Sequence, residues 1–439
     1  MISKRFFVLS AVLLLCGQDA VGIPLLSRIR RYLGLESDVD VPSVFLTVSS
    51  LASKSFMGKI TYRQLELNWH SVPSDVVSDQ STWVGLFDHD PEKNIGDALE
   101  KVYTSESEED HYETKVSYHR PEFLPGNLTD ACQGYWIGLV YQDRLLASNC
   151  IRGRPNWMYE MRDVIGDQTL LNVMLPGTHN SGSHQEYDSV KDHIISRYQI
   201  CQDEDVWNQL VYGIRFLDLR IGWSKMFNSS EQYWIYHDSF RSQPSLREVL
   251  KQIRQFLDAT NEILIVDFHR FTSGFGGRLA DERHQDVMTM IIEEIGEYML
   301  PLSSGLSTTL NDMWKTNKRV LVGYGAPQRV ESNLLFQSVS HLWANKDTLE
   351  GLENYLNNGV CKYKYNFLWA AMASLTPQTL GVILDKYGGL RQMAQDVNGP
   401  VTRWFRERWW HCANVVATDF FLGNNLIEVS IDANRKRYA

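Results

Sequence analysis

His179, Asp218, Arg220, His237 and Asp419 are the residue types that move protons and hold anions, and their spacing spreads them over successive strand-like runs. His179 follows the apolar run 170–175 in Met174-Leu-Pro-Gly-Thr-His179-Asn180. Asp218 and Arg220 stand two apart in Gly213-Ile-Arg-Phe-Leu-Asp-Leu-Arg220, which puts both on one face of a strand. His237 ends the run Tyr233-Trp-Ile-Tyr-His237, and Asp419 ends Val415-Val-Ala-Thr-Asp419. Two imidazoles can share acid and base duties near neutral pH, and a guanidinium beside them suits an anionic oxygen. Asp267 and His269 close another apolar run and line the same rim in this reading.

These residues need a scaffold that brings distant strand ends together. From about residue 156 onward, apolar runs at 170–175, 213–221, 233–236, 263–268, 320–323, 367–372 and 414–420 alternate with helical patterns. The clearest helix opens on a Ser245–Glu248 capping box and carries Leu246, Val249, Leu250, Ile253, Phe256 and Leu257 along one face. The alternation predicts an α/β fold, a distorted (β/α)8 TIM-type barrel over 155–439 with an eighth strand inferred. Such barrels gather catalytic groups at the C-terminal ends of their strands. Residues 41–154 read differently: short β-branched and aromatic runs between turn residues predict an N-terminal β-sandwich. Trp83-Val-Gly-Leu-Phe and Trp136-Ile-Gly-Leu-Val look like two related strands. Trp404, Trp409 and Trp410 among Arg403, Arg406 and Arg408 read as a core-facing helix with a basic edge, with an interfacial helix as the alternative.

The chain has 439 residues, 44% hydrophobic and 22% charged, with a formal net charge of −10. That is a folded globular composition, and it lacks the basic footprint of a nucleic-acid binder. Lys4 and Arg5, an apolar stretch from Phe6 to Cys16 and a small-residue site suggest a signal peptide over 1–22, too short to be a membrane span. Residues 23–40 read as a linker. Sequons at Asn127 and Asn228 fit passage to the outside of the cell. Cleavage would leave five cysteines, so one stays unpaired within the chain. Cys132 and Cys150 flank a predicted hairpin that a disulfide could staple.

The segments Leu175-Pro-Gly-Thr-His-Asn-Ser-Gly182 and Gly213-Ile-Arg-Phe-Leu-Asp-Leu-Arg220, followed by a strand ending at His237, resemble the X domain of phosphatidylinositol-specific phospholipase C. The likeness covers roughly residues 155 to 435 and leaves the N-terminal third outside it. It implies a phosphoric diester hydrolase acting on phosphatidylinositol or a related lipid at a membrane surface, yielding a cyclic inositol phosphate and diacylglycerol. His179 would be the base and His237 the acid. Asp218 would orient His237, Asp419 would orient His179, and Arg220, with Asn180 nearby, would hold the phosphate. Calcium-dependent relatives carry Glu-x-Asp where this chain has Asp218-Leu-Arg220, which implies no metal and no other cofactor. Asn180, where bacterial relatives have aspartate, and Asp238, where glycine is usual, depart from the pattern. Two alternatives stand beside this reading: a silent secreted lipid- or glycan-binding protein, and a metal-dependent enzyme of the glycerophosphodiesterase or sphingomyelinase D type.

Overall fold

A computed structural model of the chain describes residues 41–107, 110–190, 192–193, 196–226, 229–362 and 366–439. The signal peptide and linker expected over 1–40, and the sequon asparagine at 228, lie outside the described residues. Among the described residues no helix is long and apolar enough to cross a membrane.

The N-terminal unit is antiparallel throughout. Strands Ser43–Val48, Gln64–His70 and His111–Ser117 form one sheet, and Glu100–Tyr103, Trp83–Phe87, Cys132–Tyr141 and Arg144–Arg152 form another. Alternate residues turn inward, so Val44, Leu46, Leu65, Leu67, Val84, Leu86, Ile137 and Leu139 meet in one buried cluster. Two facing sheets with a shared core are part of what a sandwich requires; a separate two-stranded hairpin, Ala52–Lys54 with Ile60–Tyr62, stands beside them. The twin Trp-x-Gly-Leu runs are direct neighbours, with Phe87 paired to Trp136 and Val84 to Leu139. Cys132–Cys150 staples the last hairpin, Cys361–Cys412 forms a second disulfide, and Cys201 is free and buried.

The remainder curls a parallel sheet of eight strands into a distorted barrel. Its path runs Leu335–Gln337, Val320–Tyr324, Leu264–Phe271, Phe216–Trp223, Leu175–Thr178, Val415–Thr418, Trp369–Met372, Ser340–Trp343. The first and last strands of that path are consecutive in the chain and are not paired with one another, so the sheet closes through the two residues Ser338 and Val339. Both strands escaped the sequence reading because three- and four-residue runs such as Leu-Phe-Gln and Ser-His-Leu-Trp carry almost no periodicity. Conversely, Tyr233–His237 is not a barrel strand. It pairs antiparallel with the far end of Phe216–Trp223 and turns back into Phe240–Ser245.

Helices cover the sheet as the apolar patterns require. Leu246–Ala259 starts at the Ser245–Glu248 capping box and buries Leu246, Val249, Leu250, Ile253, Phe256 and Leu257. Each such side chain withdrawn from water contributes about 1.5–3 kcal/mol. Trp404 and Trp409 are buried in the core, as a core-facing helix demands. The N-terminal unit is clamped to the barrel by buried polar contacts: Arg63 and Arg120 both meet Glu204, and Tyr62 donates to Asp203.

Candidate active site

His179 leaves the end of Leu175–Thr178, its amide donating to the Thr418 carbonyl at 3.0 Å. The neighbouring strand Val415–Thr418 therefore delivers Asp419 to the same spot, and His179 Nδ1 lies 2.8 Å from Asp419 Oδ1. Arg220 Nη2 donates to His179 Nε2 at 2.6 Å. A carboxylate on one ring nitrogen and a guanidinium donor on the other select, for an uncharged ring, the Nδ1–H tautomer with its lone pair on Nε2. That is the state a general base needs.

Asp218 is fully buried one pleat before Arg220 and accepts from it at 3.2 Å and from the Asn180 amide at 3.0 Å. Burial alone would raise its pKa, but the charges of Arg220, His341, His179 and His269 outweigh that and hold it well below the usual carboxylate range. The structure thus corrects one assignment: Asp218 orients Arg220, not His237. The partner of His237 is the backbone carbonyl of Gln199, 2.9 Å from Nδ1, with Cys201 Sγ at 3.8 Å. That leaves Nε2 of His237 for the chemistry. The rings of His179 and His237 stand edge to face with centroids 6.1 Å apart. Burial, followed by the charges of His179 and Arg220, pushes the His237 pKa down to about 4.

Sequence reasoning missed the segment that holds both imidazoles. The Gln199 carbonyl accepts from His237 Nδ1, Cys201 packs beside that ring, and the Gln202 side-chain amide donates to the carbonyls of His179 and Thr418. Nothing in the pattern of a loop reveals such backbone contacts in advance. Also missed was His341, stacked on His269 at 3.5 Å with both rings facing Asp267 Oδ2. The other oxygen of Asp267 accepts from the Val339 amide at 3.1 Å, and a Cβ on Gly323 would meet that oxygen at 2.3 Å. Asp267 is therefore seated by the same break through which the sheet closes.

A cavity of about 790 Å³ opens over these groups, lined by His179, Arg220, His269, Arg270, Arg329 and His341 among others. Asn180, expected at the phosphate, is instead fully buried beneath it in a left-handed conformation with φ 43°. Asp238 sits in the two-residue turn between Tyr233–His237 and Phe240–Ser245 with φ 50°, a conformation that aspartate tolerates. Its carboxylate is 3.6 Å from Arg270. His284, which a polar sequence setting suggests is solvated, is buried against the Tyr324 hydroxyl.

Among the described residues three sets of donors lie close enough to hold a metal: Asp267 with His269 and His341, His179 with Cys201 and Asp419, and His411 with Cys361 and Cys412, whose sulfurs are already joined in a disulfide. A calcium ion bound through Asp218 does not fit these residues. Calcium asks for six to eight oxygens, whereas here a guanidinium occupies the Asp218 carboxylate.

Fold and site together define the class, a phosphoric diester hydrolase of the phospholipase C type. The relatives of the chain are PI-PLC X domain-containing proteins. One from Danio rerio is 24% identical over 307 residues, covering 64% of this chain and 96% of its own. The variant-surface-glycoprotein phospholipase C of Trypanosoma brucei brucei is 26% identical over 236 residues, covering 46% of this chain and 63% of its own. Among solved structures, a phosphatidylinositol-specific phospholipase C from Staphylococcus aureus superposes with a TM-score of 0.50 at 17% identity, covering 64% of this chain and 97% of its own, which establishes the barrel fold. No protein-family model matches the chain.

Proposed function

We propose that the protein cleaves phosphatidylinositol, or a closely related lipid, by metal-free acid–base catalysis. The observation that carries this is the paired state of the two imidazoles: His179 held as a base by Asp419 and Arg220, and His237 presenting Nε2 from the opposite side. The inositol hydroxyl next to the phosphoester gives its proton to His179 Nε2 and attacks phosphorus. The bond from phosphorus to the glycerol oxygen breaks, and His237 protonates that oxygen. Diacylglycerol and a cyclic inositol phosphate result. Arg220 turns from His179 to the anionic phosphoryl oxygens as charge grows on them. His237 must be protonated to act, and a bound phosphate anion supplies the charge that raises its depressed pKa. His269 and His341, seated by the buried Asp267 carboxylate, receive the ring hydroxyls on the far side of the cavity.

Secretion belongs to the same proposal. It is supported by two disulfides and by the exposure of Asn127 on the turn Pro125–Asn127, where a glycan has room. The lipid substrate further implies transient residence at a membrane surface.

The test compares wild type with His179→Ala and His237→Ala on phosphatidylinositol in excess chelator, following cyclic inositol phosphate across a pH series. Each substitution should lower turnover by about 10²–10⁴-fold. A folded wild type that turns over no inositol lipid would overturn the proposal.

A further inference from the structure

The hairpin Ala52–Lys54 and Ile60–Tyr62 belongs to the antiparallel N-terminal unit, outside the barrel. Its tip reads Lys54-Ser-Phe-Met-Gly-Lys59, turning at Gly58 with φ 83°. Phe56 and Met57 are fully exposed, at 107% and 93% of their reference areas. Lys54 and Lys59 flank them and make no ion pair among the described residues. An apolar tip between two ammonium groups matches the cross-section of a lipid surface: ring and thioether enter the acyl layer while the lysines remain among anionic head groups.

The base of the hairpin fixes where that tip stands. Tyr62 donates to Asp203 at 2.8 Å, packs 5.8 Å from the Tyr187 ring, and shares with it the guanidinium of Arg391. Tyr187 lies on the segment that leaves the barrel just after His179. Farther along that segment, Arg197 pairs with Asp385 at 3.0 Å, just after helix Thr379–Ile383. Leu380, Ile383 and Leu384 are each about two-thirds exposed there, and they follow Trp369–Met372 at its catalytic end. Segments from three separate parts of the chain thus meet at the rim bearing His179, and each carries bare apolar side chains, Val190 on the middle one among them.

We infer that the hairpin is a docking finger for an anionic phospholipid surface, through which the N-terminal unit sets the barrel mouth against its substrate layer. The inference rests on the lipid-hydrolase reading and adds the partner of its rim.

The experiment sediments the full chain with phosphatidylcholine vesicles, with and without phosphatidylserine. Phe56→Ser/Met57→Ser should lower partitioning about tenfold or more, and Lys54→Gln/Lys59→Gln should abolish the preference for phosphatidylserine. Circular dichroism and turnover of a monomeric short-chain phosphatidylinositol should stay unchanged. Sedimentation of the serine variant equal to that of wild type would overturn the inference and assign the tip to some other partner. Absent turnover of the monomeric lipid by wild type, with vesicle binding still dependent on the tip, would overturn only the catalytic reading.

Discussion

Arg63 donates to Glu204 at 2.5 Å, and neither side chain reaches solvent to any useful extent. The first belongs to the N-terminal unit, the second to the segment that begins at Gln199 and holds the imidazoles of His179 and His237. A contact between units is therefore only a few residues from the chemistry.

Breaking that contact should cost both stability and turnover. Arg63→Met leaves Glu204 buried with Arg120 alone, and the loss should be on the order of 3 kcal/mol in urea unfolding. Turnover should fall at the same time, because the Gln199 carbonyl and Gln202 amide lose their anchor. Arg63→Lys should restore part of each. A variant with wild-type turnover would show that the segment holds its place unaided.

The Asp419 carboxylate governs which nitrogen of His179 carries the proton. In Asp419→Asn an amide N–H can face Nδ1 and force the proton onto Nε2, where the base must be empty. The expected outcome is a fall in kcat of a hundredfold or more with KM little changed. Equal effects on kcat and KM would place Asp419 in substrate binding instead.

The depressed pKa of His237 makes stability pH-dependent in a known direction. An unfolded histidine binds its proton near about 6.5, whereas folded His237 waits until about 4. Between those values the unfolded chain holds more protons, so stability falls as pH falls through the window. His237 alone should account for a loss on the order of 3 kcal/mol. His70, lowered to about 4 chiefly by burial, adds its own share. Urea unfolding of His237→Asn at pH values spanning the window should show a shallower decline than wild type, and an identical decline would count against the buried neutral state.

The sequence made the long periodic elements legible. The capping box of Leu246–Ala259 and the continuous apolar run of Leu264–Phe271 announce themselves because many residues repeat one requirement. His179, Asp218, Arg220, His237 and Asp419 were identifiable because each ends or occupies such a run. What stayed hidden depends on single contacts. The place of Tyr233–His237 outside the barrel follows from antiparallel pairing with Ile221–Trp223, which a stretch of apolar residues does not encode. That Asp218 meets Arg220 while His237 finds a carbonyl is a matter of side-chain direction. His341 was invisible because its strand has four residues and its function comes from stacking on a ring far away in the sequence.

The break at Ser338 and Val339 has a consequence for how this cavity can change over time. Elsewhere the wall is a hydrogen-bonded ladder, and widening it by one residue would shift the register of a whole strand and turn its side chains to the wrong face. At the break no ladder joins the two flanking strands, and Ser338, Val339 and Ser340 face the cavity directly. Substitutions of Ser338 and Ser340 reshape the cavity wall while leaving the strands and the two imidazoles in place, whereas Val339 is packed in the core and its amide seats Asp267. Such a seam lets a lineage explore new cavity shapes through single mutations at its two serines.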